Sequence, residues 1–139
     1  MQIDSNLFDI LSAQAKASPR LRMNYDLRNT PEDQSQRMLN ALEPGTVMPI
    51  HRHQDTSETV VVLRGKVRWL YYNDKGEVTN TYLVSPVSDL VGLNVPKGQW
   101  HSLESLESGT VILETKDGVW TALEDEDLLF SMLKKKKTT

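Results

Sequence analysis

The sequence predicts an all-β domain, a two-sheet sandwich or small barrel, preceded by one helix. From residue 37 onward, short runs rich in β-branched and aromatic residues recur about every 8–12 positions with turn residues between them. Before residue 18 the apolar residues instead recur at helical spacing. A chain of 139 residues closes one core, and two of ordinary size are not expected.

Residues 4–17 read as the helix. Asp4 or Ser5 can cap it by accepting from free backbone N–H groups. Leu7, Ile10, Leu11 and Ala15 form its apolar stripe, Ala13 and Ala17 support it, and Pro19 stops it. Leu21 to Leu27 then alternates Leu21, Met23, Tyr25 and Leu27 against Arg20, Arg22, Asn24 and Asp26, as a strand with one polar face does. Asn29 to Asp33 is a loop by composition. Arg37 to Leu42 runs into the turn Pro44-Gly45, and Val47 to His53 follows. Thr59 to Leu63 ends at Gly65. Val67 to Tyr72 and Val78 to Val84 flank the hairpin turn Asn73-Asp74-Lys75-Gly76. Leu93 to Val95, Trp100 to Leu106 and Thr110 to Thr115 complete the strands. Asp125 to Phe130 reads as a short helix, and Lys134 to Lys137 as a solvated, frayed end. Residues 1–28 (helix and first strand) and 29–124 (barrel) thus form one domain, with 125–139 as a tail.

Composition narrows the function. The net charge of −3 gives no electrostatic reason to bind nucleic acid. The absence of cysteine removes disulfides, thiolate metal sites and cysteine nucleophiles together, and is compatible with the expected cytoplasmic location. Met1 to Asn6 has no positive and no apolar segment of the kind a secretory signal needs, so none is expected. The longest aliphatic run, Val60 to Leu63, is far below the ~20 residues of a membrane helix. No Ser-His-Asp arrangement, phosphate-binding glycine loop or nucleotide fingerprint occurs.

The three histidines carry the chemistry. His51-Arg52-His53 sets two imidazoles at i and i+2, on one face of a strand, as chelation of a single ion requires. Glu58 follows closely enough for a hairpin-like return to bring its carboxylate beside them. His101 follows the turn Pro96-Lys97-Gly98. Three nitrogens and one oxygen suit a borderline divalent ion: Mn, Fe, Co, Ni, Cu or Zn. An H-x-H pair alone is weak evidence, since histidines are more often surface or satisfied core residues, but here every histidine of the chain falls into one pattern.

Gly45, His51, His53, Glu58 and Gly65 resemble the first cupin motif, G-x5-H-x-H-x3-4-E-x6-G, at every defined position. Pro96, Gly98 and His101 resemble the heart of the second motif. Two positions depart from it: Gly92 stands closer to Pro96 than the motif's leading glycine does, and Ser105 replaces the closing asparagine. Neither is a metal ligand in the family. Residues 12–27 and 36–45 further resemble the small bacterial cupins called WbuC-type, associated with O-antigen and other surface-polysaccharide gene clusters. The resemblance implies a single-domain cupin, a double-stranded β-helix or jelly-roll barrel with an N-terminal α-helix. It implies one divalent transition metal on His51, His53, Glu58 and His101. Four protein ligands on a six-coordinate ion leave two positions for water or substrate.

Arg20, Arg22 and Asn24 are candidates to line the barrel mouth and bind substrate, with Asn40 beside them between Met38 and Leu42. Two guanidinium groups near a divalent cation would favour an anionic small molecule. Tyr25 reads as a packing residue, and Trp69 and Trp120 as core or interface. Trp100 should point away from the metal, and Gln99 serve the turn. Glu104 and Glu107 read as solvated. The expected function is a metal-dependent enzyme acting on a small polar or anionic substrate, such as a sugar or sugar-nucleotide intermediate of surface-polysaccharide synthesis. Isomerase or epimerase and dioxygenase chemistry are both open, and no catalytic residue is assigned. A non-catalytic sugar- or acid-binding module and a metal-free, epimerase-like cupin are the alternatives. A homodimer is expected through the Val67 to Tyr72 strand, read as an exposed edge. Metal affinity should fall as the pH drops through roughly 6.5, because ligand imidazoles must be neutral.

Overall fold

The computed structural model describes residues 1–131 and 133. Lys134 to Lys137 lies outside them. Helix α1 spans Ser5–Ala17, and the Asp4 side chain accepts from the Leu7 N–H at its start. Eight strands follow: β1 (Arg22–Asp26), β2 (Ser35–Leu42), β3 (Glu58–Arg64), β4 (Val67–Tyr72), β5 (Val78–Val84), β6 (Gly92–Val95), β7 (Trp100–Ser105) and β8 (Thr110–Asp117). They form a five-stranded sheet, β1-β2-β8-β3-β6, and a three-stranded sheet, β5-β4-β7, with every pairing antiparallel.

The two sheets face each other over one core. Leu42, Val60, Val62, Val95 and Ile112 of the larger sheet meet Val67, Trp69, Val84 and Leu103 of the smaller. The opposite face of the larger sheet is also covered. Leu39, Ala41 and Val111 pack under Leu11 and Ala15 of α1. This double coverage explains why β2 is buried on both faces from Leu39 to Leu42, instead of alternating. No helix among the described residues is long and apolar enough to cross a membrane.

Four expectations are corrected. The strand from Val47 to His53 does not form a ladder: it pairs only through isolated bridges at His51. Pro49 lies in its middle and has no N–H to give a ladder. The first strand begins at Arg22, because Leu21 sits in a left-handed conformation, φ 55°, with its N–H donating to the Ser18 carbonyl. Arg20 therefore lies in a turn and is exposed, so it does not share a strand face with Arg22. Strand β4 is no edge: β5 and β7 pair with it on either side, which removes the basis given for a homodimer. Residues 127–129, within the stretch expected as a tail, pair with the backbone beside His51. Asp125–Asp127 is one 3-10 turn, Leu128 bridges to His51, residues 129–131 are helical, and Leu129 is buried. Glu104 also differs from expectation, since it pairs with Arg68 across β4 and β7.

Gly65 closes the turn between β3 and β4 with φ +86°, and a Cβ there would stand 2.7 Å from the Thr110 Cα. Gly98 has φ +74° with nothing within 4 Å. Gly65→Ala should therefore cost about 2–4 kcal/mol, from backbone strain plus overpacking, and Gly98→Ala only about 1 kcal/mol. Urea unfolding of the two variants checks this, and equal losses would contradict the close approach.

Candidate metal centre

His51 is held on both sides by backbone hydrogen bonds. Its N–H donates to the His101 carbonyl (3.0 Å), and the His101 N–H donates back to the His51 carbonyl (2.9 Å). Such a reciprocal pair puts both side chains on one side of the ribbon. On the other flank, Leu129 N–H donates to the Ile50 carbonyl and Arg52 N–H to the Asp127 carbonyl, each at 3.0 Å. The C-terminal segment thus fixes the strand-like stretch that Pro49 leaves without a ladder.

The rings converge. Centroids lie 4.2 Å apart for His51 and His101, 5.3 Å for His51 and His53, and 5.7 Å for His53 and His101. Their ligand nitrogens all lie within 4.8 Å of one another. Glu58, buried at the start of β3, reaches two of them: Oε1 is 3.2 Å from His101 Nε2, and Oε2 is 3.5 Å from His53 Nε2. Trp69 stacks on His101 with centroids 5.5 Å apart and planes 11° from parallel.

The ring nitrogens are oriented for ligation. His51 Nδ1 lies 2.9 Å from the Pro49 carbonyl and His101 Nδ1 lies 2.8 Å from the Gln99 carbonyl. A carbonyl only accepts, so in the neutral rings Nδ1 carries the proton and Nε2 the lone pair. His101 Nε2 is buried and has no hydrogen-bond partner, although the Glu58 carboxylate is within 3.2 Å. A lone pair facing a carboxylate is unfavourable unless a cation stands between them. The donor set fits a divalent transition metal on this observation.

Burial sets the protonation. It lowers His51 to about 3, helped by the neighbouring His101. It lowers His53 to about 4 against the opposing pull of Glu58. For Glu58, burial opposes the charge, but the contact with His101 and the charges of His101, His53 and Lys116 outweigh it and hold the carboxyl below its ordinary range.

The proposed lining residues divide. The register pairs Arg22 with Leu42 and Asn24 with Asn40, and Asn40 with Ile112. These three thus share the face that carries the barrel core. Arg22 Nη1 is tied to the Val47 carbonyl (2.9 Å) and the Met48 sulfur (2.7 Å). Asn24 is exposed at the rim. Asn40 is buried; its Nδ2 donates to Glu114 Oε2 at 3.4 Å, and its Oδ1 has no partner. Gln99 donates to the Tyr72 and Trp100 carbonyls, and Trp100 points away to Asp74. Tyr25 and Trp120 are exposed, whereas Trp69 belongs to the core.

Sequence reasoning missed Glu114 and Lys116. The register sets Glu114 beside Val60 and Lys116 beside Glu58, on the inner face. Burial, then the charge of Glu58, pushes the Glu114 carboxyl up to about 8. A cavity of about 420 Å³ opens beside His53, lined by Lys116, Gln36, Gln54 and Asp127 among others, with part of its wall from the segment 119–127. The alternation Ile112, Glu114, Lys116 was the available signal, but nothing in it says which face turns inward.

A family profile described as "Domain of unknown function (DUF6016)" matches residues 3–84, more than half of the chain. The chain belongs to the DUF6016 family. The DUF6016 match includes His51, His53 and Glu58 and stops short of His101. No curated protein matches significantly. Among solved structures, the capsular polysaccharide assembling protein CapF from Staphylococcus aureus is similar at 23% identity and a TM-score of 0.63, over 75% of this chain and 30% of CapF. KdgF from Halomonas sp. is similar at 15% identity and 0.57, over 78% of this chain and 86% of KdgF. Oxalate decarboxylase from Bacillus subtilis is similar at 22% and 0.55, over 73% of this chain and 26% of that one. The DUF6016 chain therefore spans less than a third of the length of CapF or the decarboxylase. These likenesses show the fold: a single-domain cupin jelly roll with an N-terminal helix.

The lowered values of His51 and His53 have a consequence for stability. The unfolded chain takes up its histidine protons near pH 6.5, the folded protein near 4 and 3, so between these the unfolded state binds more protons. Stability of the metal-free protein should be fully present above about pH 6.5 and decline as the pH falls toward 4. At His51 and His53, proton competition with a metal begins only near about 3 and about 4. Thermal melts of the metal-free protein across this range check the stability trend, and stability that rises as the pH falls from 6.5 to 4 would contradict the burial effect.

Proposed function

We propose that this cupin is a metalloenzyme in which His51, His53, Glu58 and His101 hold one divalent transition metal and a small polar substrate completes the coordination. The observation that carries the reading is the buried, unpartnered His101 Nε2 facing the Glu58 carboxylate. When bound, the metal supplies Lewis-acid polarisation of a substrate oxygen. The chain's own residues do the rest. The Pro49 and Gln99 carbonyls hold two imidazoles in the tautomer that presents Nε2. Trp69 fixes the His101 plane. Glu58 offsets positive charge at the centre. Asn40 and Glu114 place a hydrogen-bonding pair on the same inner face.

Support for metal also comes from oxalate decarboxylase, a structural neighbour described by its Mn(II) centres. The polysaccharide setting is supported by CapF, a capsular polysaccharide assembling protein, and by the WbuC-type resemblance. On this reading the substrate is a sugar or sugar-nucleotide intermediate. A metal-free, acid–base cupin would need Glu58 to accept a proton from His101 Nε2. The neutral ring donates from Nδ1 to Gln99 instead, which argues against that alternative. Turnover on a panel of sugar-nucleotides separates an enzyme from a binding module.

Elemental analysis of protein purified without an affinity tag should find close to one divalent transition metal per chain. Alanine at His51, His53 or His101 should each lower that content by about tenfold or more, with the circular dichroism spectrum retained. Full occupancy in all three variants would overturn the assignment.

A further inference from the structure

The arginines expected to meet an anion are poorly placed for it. Arg20 lies outside the strand and is exposed, and Arg22 Nη1 is occupied by Val47 and Met48. A different cation stands beside the centre. Lys116 lies on the inner face of β8, paired in register with Glu58, and its side chain is only 19% exposed. Its ion contact is long, Nζ to Glu58 Oε2 at 4.0 Å. That same carboxylate already faces His101 and His53.

We propose that Lys116 is the anion-binding residue of this centre, and that the natural ligand carries a carboxylate or phosphate held between Lys116 and the histidine cluster. The inference rests on the metal reading above. Geometry supports it, because Lys116 and His53 line the same cavity of about 420 Å³. A half-buried ammonium whose ion-pair partner Glu58 would also ligate the metal favours an anion that supplies the missing charge. With a divalent ion in place, the ion and Lys116 together carry more charge than Glu58 and Glu114 when both are ionised. Acidic groups also border the cavity: half-buried Asp127, which accepts from Gln54 Nε2 at 2.7 Å, and Asp55, Glu124 and Glu126, which are exposed, where water and salt screen them.

The test uses the full chain loaded with Co(II), as wild type, Lys116→Met and Lys116→Arg. Cobalt content is measured first and folding is checked by circular dichroism. Glucuronate, glucose 1-phosphate and neutral glucose are then titrated against the cobalt absorption bands. At least one of the two anions should bind the wild type, and the two titrations separate a carboxylate ligand from a phosphate one. Lys116→Met should weaken that binding about tenfold or more, Lys116→Arg should restore most of it, and glucose should not distinguish the three proteins. Wild type that holds cobalt but responds to neither anion, or Met and wild-type proteins that bind anions equally, would overturn the role of Lys116 and leave the metal centre standing. Wild type that fails to hold cobalt would overturn the metal reading and this inference with it.

Discussion

Two backbone hydrogen bonds between His51 and His101 hold the rest of the site in place. They join a stretch that Pro49 excludes from regular pairing to the regular strand β7. Because the pair is reciprocal, the two imidazoles must project to the same side, and the i+2 spacing carries His53 with them. Four structural consequences follow from this clip: the ring convergence, the Trp69 stack, the reach of Glu58 and the docking of residues 127–129 on the far flank. Each is a local interaction of modest strength, and together they hold three nitrogens and a carboxylate in a space where water is largely excluded.

Keeping such groups dry is costly, and the fold offsets the cost through its two apolar clusters. The five-stranded sheet is covered on its outer face by α1 and on its inner face by the smaller sheet. Along the inner face, the polar row Asn40, Glu114, Lys116 and Glu58 replaces what would otherwise be core. The aliphatic residues Leu42, Val60, Val62 and Ile112 lie on the same face and keep the barrel closed. The polar row and the histidines therefore share one concave space, and a half-buried lysine and a carboxyl raised toward neutrality are direct results of it.

Much of the architecture was legible because it depends on local patterns. The Asp4 cap, the alanines and Pro19 bound the helix to within a residue of Ser5–Ala17. The β4–β5 hairpin follows from β-branched and aromatic runs on either side of Asn73-Asp74-Lys75-Gly76, and both strands have the expected limits. The stretch at Val47 to His53 was misread because its alternation is strand-like while Pro49 withholds an N–H. Leu21 was misread because nothing in a leucine announces a left-handed turn.

The sequence by itself determined the helix, most of the strands that follow and the candidate ligands His51, His53, Glu58 and His101, since these rest on spacing along the chain. Only the tertiary structure decided which charged groups accompany them. Glu114 and Lys116 turn inward because β8 pairs with β2 and β3 in a register that aligns Lys116 with Glu58 and Glu114 with Val60. Residues 127–129 join the site because free backbone groups beside His51 accept pairing from a segment far along the chain. Long-range register and edge pairing are properties of the assembled sheets, and a one-residue slip would turn the same side chains to the opposite face.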